Sequence, residues 1–118
     1  MPNPNRPPIE GLRVIDASTV IDGPTIGMLM GDFGADVIKV EHPRGDPLRE
    51  TGYQKDGVGL WFKMANRNKR GITLNFNTSR GQELFRSLVR TADVVIENFR
   101  TGTMEKWGLG WEDLRNIN

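Results

Sequence analysis

One short segment of this 118-residue sequence combines side chains that could hold a nucleotide. Residues 97–102 (ENFRTG) place Phe99 between Asn98 and Arg100, directly after an apolar run. An aromatic ring can pack against an adenine, while amide and guanidinium groups bind ribose or phosphate. The alternative is that Phe99 belongs to the core and Arg100 is a surface charge. The residues alone leave both interpretations open.

Two other segments offer cations. Residues 66–70 (NRNKR) carry three basic side chains within four positions, and residues 42–46 (HPRGD) follow a predicted strand. Arginine presents paired donors to phosphate and lysine presents a point charge. However, a basic run is commonly a solvated surface, and a Pro/Gly segment is commonly a turn without a ligand. Local pattern favours the solvated run and the simple turn.

Two aspartates flank the first predicted turn of the chain. Asp16 ends the first strand and Asp22 precedes Gly23-Pro24. Two carboxylates alone do not specify acid–base chemistry. Asp16 is expected to hydrogen-bond to neighbouring backbone, as aspartates at turns commonly do.

The hydrophobic pattern predicts the elements that position these segments. Strands are predicted over residues 12–16, 36–41, 71–76 and 93–97, and helices over residues 24–33, 60–66, 78–90, 104–107 and 112–117. Alternating strands and helices imply right-handed crossovers and a mainly parallel sheet. The fold class is therefore α/β, doubly wound and Rossmann-like. Residues 1–8 are expected to be an extended or disordered lead-in, and residues 9–118 one domain.

The pattern also predicts which faces are buried. In the first helix, Ile26, Leu29, Met30 and Phe33 recur at spacings of three and four, which is typical of a core-facing stripe. In the third helix, Leu84, Phe85, Leu88 and Val89 form the corresponding stripe. The second strand alternates apolar residues with Lys39 and Glu41, which predicts less burial than in the first strand. Residues 42–59 have no periodicity and are expected to be a loop.

Open α/β sheets bind ligands beyond the carboxyl ends of their strands. That rule points to residues 18–23, 41–46, 75–78 and 98–102. The first of these turns lacks the pattern G-x-G-x-x-G, which removes support for an ordinary dinucleotide site.

Composition excludes several classes of site. The sequence has no cysteine, which excludes disulfides and thiolate chemistry, and His42 is its single histidine, so no His-rich metal centre is expected. Sixteen basic against fifteen acidic residues leave a net charge of +1, too balanced to attract nucleic acid through a global field. No apolar run approaches the roughly 20 residues of a membrane span. We expect a cytoplasmic protein with no metal, nucleic-acid or membrane partner.

Several segments, taken in order, resemble the class III CoA-transferases, also called the CaiB/BaiF family. The segments are residues 11–16 (GLRVID), 23–24 (GP), 31–41 (GDFGADVIKVE), 66–70 (NRNKR), 92–99 (ADVVIENF), 102–104 (GTM) and 108–114 (GLGWEDL). One such motif would be weak, but the collinear set across residues 9–118 is specific.

The resemblance implies an enzyme that transfers coenzyme A between an acyl-CoA and a carboxylic acid through an aspartyl-CoA intermediate. Family members are several times longer and form interlocked dimers, so this chain corresponds to their amino-terminal, CoA-binding portion. The family's nucleophilic aspartate would fall beyond Asn118, so no catalytic residue is assigned here and the 118 residues alone are expected to be inactive. Two alternatives remain: a 2-methylacyl-CoA racemase with the same amino-terminal pattern, and a non-catalytic nucleotide-binding module.

By matching position, the resemblance also implies a set of CoA-contacting residues. They are Ile21, Asp22, His42, Leu74, Asn75, Phe76, Asn77, Asn98, Phe99, Arg100 and Lys106. Two of them depart from the family pattern. Asp22 stands where a small residue usually precedes Gly-Pro, and its carboxylate would repel a CoA phosphate. His42 stands where some members have arginine, which replaces a permanent cation by a titratable one.

Overall fold

The central sheet of the computed structural model, which describes residues 3–118, has four parallel strands. Met1 and Pro2, the first residues of the predicted lead-in, lie outside this range. The described residues form six strands, which in chain order are β1 Arg13–Asp16, β2 Asp36–Glu41, β3 Gln54–Lys55, β4 Val58–Gly59, β5 Lys69–Thr73 and β6 Val94–Ile96. The four strands of the central sheet are β1, β2, β5 and β6. The helices are α1 Asp22–Asp32, α2 Leu60–Ala65, α3 Ser79–Val89, α4 Thr103–Lys106 and α5 Trp111–Arg115.

The strand order in this sheet is β5-β2-β1-β6, while β3 and β4 form a separate antiparallel hairpin. β1 pairs with both neighbours, Val14 lying opposite Val37 on one side and Val94 on the other. The chain first adds strands on the β2 side and then returns to add β6 across β1. This reversal of strand order is the arrangement that creates a ligand crevice in doubly wound folds. The predicted α/β fold with a mainly parallel sheet is confirmed.

Two apolar clusters cover the two faces of the sheet, because alternate strand residues point to opposite sides. One cluster joins Ile15 to Phe85 and Val89 of α3 and to residues of α4. The other joins Val14, Val37 and Ile96, with Met30 of α1 packed against it. The predicted stripe of α3 is only partly confirmed, since Phe85 and Val89 are buried whereas Leu84 is 36% exposed.

α1 turns its glycines, not its apolar stripe, toward the sheet. Gly23, Pro24, Gly27 and Met28 are buried, whereas Ile26, Leu29 and Phe33 are 52%, 46% and 54% exposed. The prediction that these three residues face the core is therefore wrong, and only Met30 is half-buried. The reason is steric: a side-chain carbon added at Gly27 would lie 3.0 Å from a carboxylate oxygen of Asp16 and 3.2 Å from Cε of Lys69. Charged side chains beneath the helix leave room only for glycine.

The predicted lower burial of β2 is also wrong. β2 lies between β1 and β5, and its Lys39 is 3% exposed. The alternation that resembles a solvent-facing pattern instead places a lysine among buried carboxylates.

Residues 42–59 contain more order than the sequence indicates. A single 3₁₀ turn spans Pro47–Glu50, and the fully buried Leu48 anchors it. The Asp46 carboxylate begins this turn by accepting a hydrogen bond from the Leu48 amide.

Within the described residues, none of the helices is long and apolar enough to traverse a lipid bilayer.

Candidate functional site

The carboxyl ends of β1 and β6 meet where the strand order reverses, and the Asn98 side chain joins them. Its Oδ1 accepts a hydrogen bond from the Thr19 amide, and its Nδ2 donates to the Thr19 carbonyl, both at 2.8 Å. The amide therefore pairs with the Thr19 backbone as a neighbouring strand would. This bridge fixes the turn after β1 against the end of β6.

A cleft opens beside this bridge at the carboxyl edge of the sheet. Its lining is mainly apolar and aromatic, with a few polar groups, as is common in ligand pockets. The lining residues are Ala17, Thr19, Val40, His42, Leu74, Phe76, Asn77, Phe99 and Trp107. None of the nine carries a carboxylate.

Three aromatic rings form one wall of the cleft. Trp107 meets Phe99 edge-on at a centroid distance of 5.2 Å and lies 5.4 Å from Phe76. The indole Nε1 donates to Asn77 Oδ1 at 3.2 Å, which fixes the ring. A wall of this kind can pack against a planar, apolar group such as a nucleobase.

His42 supplies a titratable group to the same cleft. Its Nδ1 accepts a hydrogen bond from the Arg44 amide at 3.1 Å. Because an imidazole nitrogen that accepts a hydrogen bond carries no proton, this contact assigns the neutral ring's proton to Nε2.

Asp22 places a negative charge at the first residue of α1. Its Oδ1 accepts from the Gly23 amide at 2.9 Å and from Asn98 Nδ2 at 2.7 Å. The Gly23 amide, followed by the Asn98 side chain, holds the pKa of this carboxyl below its usual value. The carboxylate thus fills the position where a helix amino terminus would attract an external anion.

Four charged side chains lie buried beneath the turn after β1. This buried charge cluster consists of Asp16, Lys39, Asp46 and Lys69, whose side chains are at most 4% exposed. Lys69 Nζ lies 2.7 Å from Asp16 Oδ2, and Lys39 Nζ lies 3.5 Å from Asp46 Oδ2. Two ammonium groups balance two carboxylates, which is the condition under which buried charge is tolerated.

Lys69 also binds three uncharged oxygens, those of the Pro24 and Ala65 carbonyls and of the Asn66 side chain, at 2.7–2.9 Å. Its ammonium therefore ties the start of α1 to the end of α2. Desolvation is the main cause that lowers the pKa of this lysine, and the Asp16 carboxylate opposes it.

The basic run at residues 66–70 is thus not a solvated surface at Lys69. Its two arginines are also paired, Arg67 with Asp32 at 2.6 Å and Arg70 with Asp36 at 2.7 Å. All three cations have carboxylate partners, which also weakens the alternative of a phosphate site here. The expected backbone contact of Asp16 is confirmed, since its Oδ1 accepts from the Ser18 amide at 3.0 Å.

The structure brings together some of the predicted contact residues. Five of them line the cleft: His42, Leu74, Phe76, Asn77 and Phe99. Asn98 and Asp22 are hydrogen-bonded to each other beside it, and the half-buried Ile21 precedes α1. Asn75 shapes the turn before α3 by accepting a hydrogen bond from the Asn77 amide.

Arg100 and Lys106 lie apart from the cleft lining. Both are exposed, and within residues 3–118 neither forms a salt bridge. Arg100 precedes α4 and Lys106 ends it, so both cations stand at the same short helix. Their role as phosphate contacts stays a prediction.

The predicted contact residues omit four that line the cleft: Ala17, Thr19, Val40 and Trp107. Thr19 lies within residues 18–23, to which the rule about strand ends points, and Ala17 directly precedes that segment. Trp107 carries no local signal, because its place depends on how α4 packs against residues 76 and 99.

Among residues 3–118, no group of three or more His, Cys, Asp or Glu side chains is arranged to hold a metal ion.

Comparison with known sequences places this geometry in context. The profile of CoA-transferase family III matches residues 9–118. Succinyl-CoA--D-citramalate CoA-transferase of Chloroflexus aurantiacus is 48% identical over 113 residues, which cover 94% of this chain and 28% of that protein. The beta subunit of succinyl-CoA--L-malate CoA-transferase from the same organism is 51% identical over 113 residues, with the same two coverages.

Solved structures agree with the sequence comparison. A CaiB/BaiF family protein from Brucella suis superposes with a TM-score of 0.90 at 45% identity, covering 96% of this chain and 31% of that one. The chain therefore spans less than a third of the length of these relatives.

Proposed function

The chain belongs to CoA-transferase family III, and on that premise we propose that residues 9–118 form the CoA-binding part of an enzyme that moves coenzyme A between carboxylic acids. The observation that carries the proposal is the aromatic cleft at the carboxyl edge of the sheet, next to the Asn98 bridge. Its position is where doubly wound folds bind nucleotides, and its lining suits an adenine.

The proposed contacts divide the ligand into an aromatic and an anionic part. The wall of Phe76, Phe99 and Trp107 receives the adenine, with His42 at the same cleft. Arg100, which precedes α4, and Lys106, which ends it, receive phosphate groups, and neither forms a salt bridge within residues 3–118. Guanidinium and ammonium groups are the usual partners of phosphate oxygens.

The proposed reaction uses an aspartate carboxylate as nucleophile. The carboxylate oxygen attacks the acyl-CoA carbonyl, forming a mixed anhydride and expelling the CoA thiolate. The thiolate then attacks the aspartyl carbonyl of the anhydride, giving an aspartyl-CoA thioester and releasing the first acid as its carboxylate. The acceptor carboxylate attacks that thioester and expels the CoA thiolate, which forms a second mixed anhydride. The thiolate then attacks the acceptor's carbonyl in this anhydride, yielding the second acyl-CoA and the free aspartate carboxylate.

We assign this nucleophile to a residue outside the 118-residue chain. Supporting the assignment, no carboxylate lines the cleft, and Asp16 and Asp46 are buried and paired with lysines. Asp22 is engaged by Gly23 and Asn98. The isolated chain would then bind CoA without transferring it, and the complete enzyme would be an interlocked homodimer.

The absence of cysteine from the sequence is compatible with a location in the reducing cytoplasm.

Calorimetry of the chain with CoA, and separately with pantetheine, tests the binding proposal. CoA is expected to bind and pantetheine to bind much more weakly, because pantetheine lacks the adenine and all phosphates. Equal affinity for both would contradict the proposed adenine and phosphate contacts. Absence of CoA binding would contradict the CoA-binding proposal itself.

Profiling of the full-length protein tests the reaction. Because the relatives act on succinyl-CoA, the panel begins with that donor and a set of dicarboxylic acids. Transfer of CoA to an acid supports the transferase. Exchange of the proton next to the thioester carbonyl in a 2-methylacyl-CoA, without transfer to any acid, would instead establish the racemase.

A further inference from the structure

The turn after β1 contains a residue in an unfavourable backbone conformation. Val20 has φ of +65°, although it is β-branched and 44% exposed. Non-glycine residues rarely adopt positive φ, and for a β-branched residue the conformation is a genuine outlier that surrounding contacts must hold. Since the Val20 side chain is largely exposed, those contacts must reach its backbone.

Asp46, 26 positions further along the chain, provides that contact. Both of its carboxylate oxygens lie within hydrogen-bond distance of the Val20 amide, at 3.1 and 3.2 Å. The same carboxylate accepts from the Leu48 amide at 2.9 Å, and its side chain is 1% exposed. A buried, ionised acceptor forms stronger hydrogen bonds than a neutral one.

Asp46 is itself held in place from two sides. Its backbone amide donates to Glu41 Oε1 at 2.7 Å, and Glu41 is paired with Arg49 at 2.5 Å. Lys39 Nζ lies 3.5 Å from the Asp46 carboxylate and also donates to the Ser18 carbonyl at 2.5 Å. One charged pair therefore holds the turn at two of its backbone groups, the Ser18 carbonyl and the Val20 amide.

We propose that Asp46 is a positioning residue for ligand binding, which fixes the strained turn at Val20 so that Thr19 lines the cleft. The proposal rests on the proposed CoA site. Asp46 touches no ligand in this arrangement, because its carboxylate is buried against Val20 and Leu48. It acts only through the conformation of the turn.

A double-mutant cycle between Asp46 and Val20 tests this mechanism. Asp46→Ala is expected to weaken CoA binding about tenfold, equivalent to about 1.4 kcal/mol. Glycine adopts positive φ without steric cost, so Val20→Gly in the Asp46→Ala background is expected to recover at least about threefold of that loss. A residue that only stabilised the fold would show no such rescue. The matched control is Val58→Gly in the same background, since Val58 is 43% exposed and belongs to β4 of the antiparallel hairpin, outside the turn after β1.

A second measurement, made without CoA, tests whether Asp46 anchors the Val20 backbone. In the ligand-free full chain, hydrogen exchange of the Val20 amide is expected to be slow and to accelerate when Asp46 is replaced. If Asp46→Ala does not fold, Asp46→Asn serves the same cycle, with a smaller loss and the same rescue.

Two results would overturn the inference: unchanged Val20 exchange in the Asp46 variants, or a loss of CoA affinity that Val20→Gly does not restore. Wild-type chain that binds no CoA would instead refute the proposed function, and the exchange measurement would still decide whether Asp46 anchors the turn.

Discussion

The ammonium of Lys69 lies 2.7 Å from the carboxylate of Asp16, although 53 positions separate the two residues. Both side chains are at most 1% exposed. The pair lies directly beneath Gly27, so α1 rests on a buried salt bridge where most helices rest on apolar side chains. Removing Lys69 would leave the two buried carboxylates of Asp16 and Asp46 with the single ammonium of Lys39.

Lys69→Met is therefore expected to lower the free energy of unfolding by about 3 kcal/mol, measured by denaturant titration. The matched control is Arg70→Met, which breaks the Arg70–Asp36 pair, whose arginine side chain is 66% exposed. That change should cost less than about 1 kcal/mol, because exposed pairs contribute little. Equal losses of unfolding free energy in the two variants would show that the buried pair contributes no more to stability than the exposed pair.

Asn98→Ala should weaken both stability and CoA binding, because it removes two hydrogen bonds to the Thr19 backbone and one to Asp22. We expect a loss of about 2 kcal/mol in unfolding free energy and about tenfold in CoA affinity by calorimetry. Asn118→Ala is the control, since Asn118 Nδ2 also donates to two backbone carbonyls, those of Val89 and Ala92, neither of which lines the cleft. It should lose less stability, because Asn118 is exposed and makes one hydrogen bond fewer, and it should retain CoA affinity. If both variants bind CoA equally well, the bridge does not shape the site.

Arg100→Ala and Lys106→Ala are each expected to reduce CoA affinity about fivefold, and to leave stability nearly unchanged because both side chains are exposed. The salt dependence of binding should weaken as well, since each variant removes one cation from a phosphate contact. Arg90→Ala and Lys63→Ala, which remove exposed cations elsewhere, serve as controls. Unchanged affinity in both test variants would remove these residues from the phosphate site.

Asp22 makes a pH-dependent contribution to stability whose sign follows from its lowered pKa. A carboxyl whose pKa is lower in the folded than in the unfolded protein stabilises the fold above the unfolded value of 3.8. That contribution is lost as the pH falls below 3.8 and the folded carboxyl becomes protonated. The difference in unfolding free energy between wild type and Asp22→Asn should therefore shrink below about pH 4. A difference that stays constant from pH 6 to pH 3 would contradict this assignment.

The elements of the fold could be predicted because their signals are local. Alternation and apolar runs mark β1 and β6, and the threonine that caps α3 is visible in the sequence. The position of Asn98 at the carboxyl edge of the sheet also followed from the general rule about strand ends. These inferences need only neighbouring residues and one rule of topology.

The charged interior could not be predicted, because each partner is remote in sequence. Nothing near Lys39 or Lys69 shows that Asp16 will lie between them. The same remoteness misled the assignment of α1. Its apolar stripe satisfies the helical period, but the face that meets the sheet is set by the space left above Asp16 and Lys69. Val20 gives no sign of its conformation either, since the anchoring carboxylate belongs to a segment without periodicity.

The strand order β5-β2-β1-β6 also constrains how this chain acquires its structure during synthesis. β1 leaves the ribosome first, yet both of its neighbours come later, and Val14 pairs with Val94 only after most of the domain has been made. Until then the cleft lacks the β6 wall, although Lys39 and Lys69, the partners of Asp16, are already part of the chain. Non-local pairing of this kind slows folding. The nascent chain would therefore carry an open edge on β1 until nearly the whole domain has emerged.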